Sequence, residues 1–170
     1  FQVFATTPET MGPGEIGAHA ARADSMGFDG LHVPDDVHDG LLLTALALNA
    51  TQKLVVGTGV LVAFPRSPMI TAIASWDLQQ MSGGRFELGL GTQIQPNIEQ
   101  RYSARWDSPV PQLREYVQAV KAVFHSFQTG ERLHFVGEHY ALTRLQPFFN
   151  PGPIDHPDIP ILCGAVGPAM

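Results

Sequence analysis

Cysteine, basic charge and long apolar runs are all scarce in this chain, and each scarcity removes a class of function. A single cysteine, Cys163, has no partner for a disulfide within the 170 residues. That usage suits a reducing compartment, so a cytoplasmic location is expected. Only 10 Lys and Arg stand against 16 Asp and Glu, a net charge of −6. Nucleic-acid binding needs a basic face, which this balance argues against. Binding of a small acidic ligand stays open, since a few local cations are enough for it. No apolar stretch nears the roughly 20 residues that cross a bilayer. The opening FQVFATTPET has neither the charged start nor the small-residue cleavage site of a signal peptide. It also lacks an initiator Met and begins on a strand-like run, so a trimmed start is expected.

What is present is an ordinary globular composition, 44% hydrophobic and 15% charged. It is too apolar for disorder, and the length is enough for one domain with a core. Strand-like runs at Phe1–Ala5, Gly30–Val33, Leu54–Val62, Arg85–Gly89 and Ile159–Cys163 alternate with helical patterns at Gly14–Met26, Leu41–Asn49, Pro68–Met81 and Gln112–Phe127. The run LVVGTGVLV is continuously apolar and β-branched, as in a strand buried on both faces. The apolar spacing predicts inward faces at Ile16, Ala20, Ala23 and Met26 in the first helix and at Ile70, Ile73, Ala74 and Leu78 in the third. RLHFV and HYAL, separated by Gly137 and Glu138, read as a hairpin. Alternating strands and helices imply right-handed βαβ units and a parallel sheet. By length alone an open doubly wound sheet of five strands fits better than an eight-stranded barrel, which needs about 250 residues.

In either parallel architecture ligands bind where strands end at their carboxyl side. The residues there are Thr6 and Thr7, then Asp35, Asp36 and His38, then Gly59 within the third strand, then Gly89, Gly91, Thr92, Gln93 and Asn97, and finally GAVGPAM. Asp35, Asp36 and His38 also suit a solvated turn capping the next helix. DDVHD matches no standard metal spacing, and no metal site is expected. Gly59 in a buried strand marks either a structural bulge or a close backbone approach to a ligand. GLGT has no third glycine, so it is a poor dinucleotide-binding loop. His125, His134 and His139 are expected at the surface, and Arg85 in a buried ion pair with a carboxylate.

The runs GFDGLHVPDD, TQKLVVGTGVLVAFPRSP, LQQMSGGRFELGLGTQ and IPILCGAVGPAM together resemble the bacterial luciferase-like superfamily, in particular its coenzyme F-420-dependent oxidoreductases. The similarity runs from Phe1 to Met170. It implies a TIM (β/α)8 barrel of which this chain holds about the first five strands, a single but incomplete luciferase-like domain over residues 1–170. It further implies hydride transfer between F-420 and a small organic substrate, and a homodimer. By position, Asp35 would lie near the deazaflavin ring. Gly59 and Val60 would form the bulge behind it, where this family often holds a non-prolyl cis peptide. Thr92, Gln93 and Asn97 would bond the ring or its ribityl chain. Val166, Gly167, Ala169 and Met170 would offer backbone amides to its phosphate at the start of the next helix, where free N–H groups and the helix dipole favour anions. Sugar-phosphate dehydrogenases of the family place His after the loop Asp and Glu shortly after the Thr; here Asp36 and Ile94 stand there, which argues against that substrate class. Asp36 and His38 are then the acid–base candidates. The alternatives are an FMN-dependent monooxygenase using molecular oxygen and a non-catalytic binding protein on the same scaffold.

Overall fold

A computed structural model describes residues 1–165. Five short parallel segments set its frame: β1 (Phe4–Thr6), β2 (Gly30–Val33), β3 (Val55–Thr58), β4 (Leu61–Val62) and β5 (Phe86–Gly91). The helices between and after them are α1 (Ile16–Ser25), α2 (Gly40–Asn49), α3 (Pro68–Ser82) and α4 (Pro109–Thr129). Then come an antiparallel pair, β6 (Phe135–Val136) and β7 (Ala141–Leu142), and a last parallel strand, β8 (Ile161–Cys163).

Local chemistry accounts for the helix ends. Ser67 caps α3 by accepting from the Ile70 N–H at 3.1 Å, with Pro68 in the first turn, where its missing N–H costs nothing. Gly83 ends the same helix at a φ of 65°, the left-handed conformation that glycine adopts freely. Asp39 caps α2 through the Leu42 N–H at 2.9 Å.

The third predicted strand is two strands. Gly57 pairs with Glu87, and Leu61 pairs with Leu90. Residues 58–60 therefore face only 88 and 89, so the chain bulges by one residue between β3 and β4. The Thr58 hydroxyl fills the gap in the ladder. It donates to the Gly89 carbonyl at 2.7 Å and accepts from the Gly89 N–H at 3.0 Å. Only glycine fits opposite, because a Cβ on Gly89 would collide with the Thr58 carbonyl oxygen. The Gly59–Val60 peptide within the bulge is cis.

Spatial order follows chain order: β1, β2, β3 with β4, β5, β8, all parallel. Successive helices also touch, α1 with α2, α2 with α3 and α3 with α4, and α1, α2 and α3 pack on β2, β3 and β5 respectively. With right-handed crossovers, strands that never reverse order place every helix on one side. That is a singly wound, barrel-type sheet. The open doubly wound alternative, whose order must reverse at a switch point, does not apply.

The helix-covered side holds the core, with Leu31, Val33, Val56, Phe86, Leu88 and Leu90 buried against Ile16, Leu48, Trp76 and Tyr116. The other side carries Thr6, His32, Gly57 and Glu87 in one register row, and His32 Nε2 lies 3.7 Å from Glu87.

Three expectations are corrected. Met26 is 68% exposed and terminates α1 instead of packing. In α3, Ile70 and Ile73 are exposed while Leu78 is buried as expected, and the inward face also holds Thr71, Ala72, Ser75, Trp76 and Gln79. Two of its polar members are bonded, Thr71 to the Tyr116 hydroxyl at 2.6 Å and Gln79 to the Phe86 N–H at 3.1 Å and the His156 carbonyl at 3.0 Å, whereas the buried Ser75 hydroxyl has no partner among the described residues. Arg85 holds no carboxylate. Its guanidinium donates to the carbonyls of Ser82, Leu54 and Leu48 and to Thr51 Oγ1, tying the start of β5 to the end of α2.

Candidate functional site

The carboxyl ends of β2, β4, β5 and β8 surround a cavity of about 670 Å3. Its size falls in the range of small-molecule sites. Val60 and Val62 come from the bulge and β4, Gly91 and Thr92–Gln95 from the end of β5, Pro34–Asp36 from the loop after β2, Trp106, Pro109 and Val110 from the approach to α4, and Gly164 from beyond β8. A second cavity, of about 620 Å3, lies where the segment Pro157–Ile161 enters β8 against the end of α4. That is the amino end of a strand, which in parallel architectures carries stability, not chemistry.

The bulge shapes the cavity. Cβ atoms on Gly91 or Gly164 would press on the Val60 side chain, so both neighbouring strand ends are bare next to it. Gly59 sits directly over His32, where an added Cβ would fall 2.7 Å from the His32 Cβ. A branched side chain, Val60, is thereby displayed on a glycine-lined floor.

Asp35 lines the cavity, but both of its oxygens are committed. Oδ1 accepts from the Gly40 N–H at 2.9 Å, Oδ2 from the Val62 N–H at 3.0 Å, and Arg66 stands 3.4 Å away. The carboxylate thus ties the loop after β2 to both β4 and the start of α2. Arg66 also bonds Asp39 at 2.8 Å. Burial pushes the Asp39 carboxyl up, but the Arg66 and Leu42 donors outweigh it and hold it below its ordinary value. Arg66 correspondingly lies above its own, burial opposing and the Asp39 bond prevailing.

Asp36 also lines the cavity. Its side chain accepts from the Val37 N–H, and its carbonyl accepts from Arg101. His38 does not line the cavity. Its ring lies over the β1–α1 loop, with Nε2 3.6 Å from where a Cβ on Gly12 would stand. Thr92 and Gln93 are in the wall, and Gln93 holds a left-handed φ of 62°. The Gln93 Oε1 accepts from the Ile94 N–H at 2.9 Å and from Asn97 Nδ2 at 3.1 Å. Asn97 thus acts behind Gln93, outside the lining, at the head of a π-helical turn over Asn97–Arg101. Val166, Gly167, Ala169 and Met170 lie outside the described residues. Among the described residues no cluster of His, Cys, Asp or Glu is placed to hold a metal, and no helix is long and apolar enough to cross a membrane.

Trp106 is the wall residue that sequence reading missed. Its ring stands edge-on to Phe64, centroids 5.8 Å apart at 70°. An aromatic in a polar, proline-bearing stretch just ahead of a helix, SARWDSPVP, is the signal that was available.

The donor set suits a flat, mostly apolar ring with a polar edge. Val60 and Val62 offer apolar contact beneath, Trp106, Pro109 and Val110 beside it, and Thr92, Gln93 and Asp36 a hydrogen-bonding rim.

The whole chain, residues 1–170, matches the family model described as luciferase-like monooxygenase. It is 43% identical over 151 residues to an uncharacterized protein of Mycobacterium tuberculosis, covering 89% of this chain and 44% of that one. It is 32% identical over 161 residues to a putative coenzyme F420-dependent oxidoreductase of the same organism, covering 87% and 44%. A solved structure of the coenzyme F420-dependent tetrahydromethanopterin reductase of Methanopyrus kandleri superposes with a TM-score of 0.78 at 21% identity, over 99% of this chain and 51% of that one. The chain therefore spans about half the length of the proteins it matches, and the superposition agrees with a partial barrel.

Proposed function

The chain belongs to the luciferase-like monooxygenase family, and on that premise we propose that it supplies the cofactor-facing half of an oxidoreductase that uses coenzyme F-420. The observation that carries this reading is the cavity at the strands' carboxyl ends, with Val60 presented on a bare floor of Gly91 and Gly164. The 32% identity to a putative coenzyme F420-dependent oxidoreductase supports F-420 as the group.

When bound, the deazaflavin would supply hydride chemistry. The chain's own residues orient and enclose it. Val60 would back one ring face and leave the other for substrate. Thr92 and Gln93 would meet its polar edge, with Asn97 holding Gln93 in place. Asp35 keeps the wall in register by tying Val62 to the loop after β2. Asp36, at the rim, would take or give a proton in this reading; His38 lies off the cavity and has no part in it. The phosphate-binding role of Val166, Gly167, Ala169 and Met170 remains part of the proposal. So does a homodimer, for which the exposed Leu42 of α2 and Ile70 and Ile73 of α3 offer apolar surface on two touching helices.

Titrating the protein with oxidised F-420 and with FMN, followed by cofactor absorbance and fluorescence, tests the reading. Saturable binding of F-420, tighter than FMN, is expected. Preference for FMN, with oxygen consumed when reduced FMN and substrate are added, would transfer the assignment to a monooxygenase. Binding of neither would remove the oxidoreductase reading.

A further inference from the structure

The segment that leaves β5 crosses the cavity rim before it enters α4. β2 and β5 are not neighbours, because β3 stands between them, with β4 continuing it. Yet residues 92–108 run from the end of β5 past the end of β4 to the loop after β2. Gln93 starts the crossing at its left-handed φ, its Oε1 holding the Ile94 N–H and Asn97 Nδ2. Ile98 is fully buried and anchors the middle. The π-helical turn Asn97–Arg101 is closed by the Tyr102 N–H on the Asn97 carbonyl at 3.0 Å and the Ala104 N–H on the Ile98 carbonyl at 2.9 Å. Trp106 then meets Phe64, just beyond β4.

Arg101 is the point where this strap reaches the loop after β2. It stands outside the cavity lining, donates to the Asp36 carbonyl and lies over the Tyr102 ring, 5.1 Å from its centroid. A bond from a charged donor is about twice as strong as a neutral one. The bond of the Asp36 carboxylate, to the adjacent Val37 N–H, stays inside the loop. Asp35, one residue earlier, fastens the loop to Val62 on β4, and Arg101 fastens it to the β5 side. Bonds therefore run from Asp36 through Arg101 and the π turn to Asn97 and Gln93. Two rim residues on strands that are not neighbours are held in one frame.

We infer that Arg101 is a positioning residue: it fastens the strap 92–108 across the rim and, through the Asp36 carbonyl, fixes where Asp36 stands relative to Gln93. The inference deepens the cofactor reading above and rests on it only for the ligand used in the second arm of the test.

Hydrogen exchange followed by mass spectrometry tests the clasp with no ligand present. Arg101→Met keeps an apolar stem over Tyr102 and removes the donor, whereas Arg101→Lys keeps a charged donor on a flexible stem. Arg101→Met should speed exchange about tenfold in peptides covering residues 34–40 and 97–108, and leave the middle of α4 unchanged. Arg101→Lys should restore most of the protection in both peptides, a rescue that a loss of packing alone would not show. In the second arm, the F-420 complex is diluted rapidly, and release should be about 3- to 10-fold faster from Arg101→Met than from the native protein. Unchanged exchange over 34–40, equal acceleration throughout α4, or no recovery with Lys overturns the inference. So does unchanged release of bound F-420. Should Arg101→Met fail to fold, Arg101→Ala is read by the same outcomes. If the native protein binds no F-420 while the exchange results hold, the cofactor reading fails and the clasp stands. F-420 binding with unchanged exchange overturns the clasp and leaves the cofactor reading intact.

Discussion

Asp35→Asn separates a carboxylate that holds the cavity wall from one that serves a ligand. The substitution keeps the side chain's shape and replaces one acceptor oxygen with an NH2 donor. In the folded protein the two oxygens face two N–H groups, Gly40 at 2.9 Å and Val62 at 3.0 Å. Whichever way the amide turns, a donor meets a donor. Leaving one such buried group unpaired costs about 1–3 kcal/mol. Removing the negative charge beside the start of α2 adds about 0.3–1 kcal/mol. Arg66 is not orphaned, because its bond to Asp39 at 2.8 Å remains. The total is roughly 1.3–4 kcal/mol, and at about 2–4 °C per kcal/mol for a chain of this size the melting temperature should fall by roughly 3–16 °C. Thermal unfolding followed by circular dichroism at pH 7 reads this directly, with no ligand present. A melting temperature unchanged within about 1 °C, together with lost cofactor binding, would refute the argument and make Asp35 a ligand-binding group.

Gly89→Ala should be among the most damaging small substitutions, since its methyl would meet a backbone carbonyl that has nowhere to move; a loss of about 3 kcal/mol or more is expected in urea unfolding. Tyr116→Phe leaves the fully buried Thr71 hydroxyl without its 2.6 Å partner and should cost about 1–3 kcal/mol, read as a shift in the urea midpoint. At acid pH, Glu115 sets a testable slope. Burial pushes its carboxyl up, but the N–H groups of Tyr140, His139 and Glu138 outweigh this and hold it below its ordinary value of 4.5. A lowered folded pKa means its stabilisation is present above pH 4.5 and is lost as pH falls below it. Glu115→Gln should therefore flatten the fall in melting temperature below pH 4.5; an identical acid limb in both proteins would refute the role.

The order of elements was legible in the sequence because it depends on near neighbours. Gly27 and Gly83 mark helix ends through φ angles that glycine alone takes easily, whereas the cap of α2 is Asp39 and not the Asp35, Asp36 and His38 turn. The glycine-rich strand ends pointed to the carboxyl face, and Asp35, Asp36, Val60, Thr92 and Gln93 do meet around one cavity there. Tertiary structure decided the rest. A residue count cannot show that Thr58 substitutes for a ladder bond with Gly89, 31 residues away, and so splits one apolar run into two strands. Periodicity placed Leu78 inward correctly but also Ile70 and Ile73, which are exposed, while the buried face carries Trp76, with Thr71 and Gln79 bonded across to α4, β5 and the segment before β8. Asp35 looked available to a ligand until Val62, 27 residues on, claimed its second oxygen. For Trp106 the one local signal was an aromatic ahead of a helix, and nothing local showed that its ring would stand edge-on to Phe64 in the cavity wall. In each case the deciding term is a contact between residues far apart in sequence. Such a contact has no local signature, because its partner comes within reach only when the chain folds.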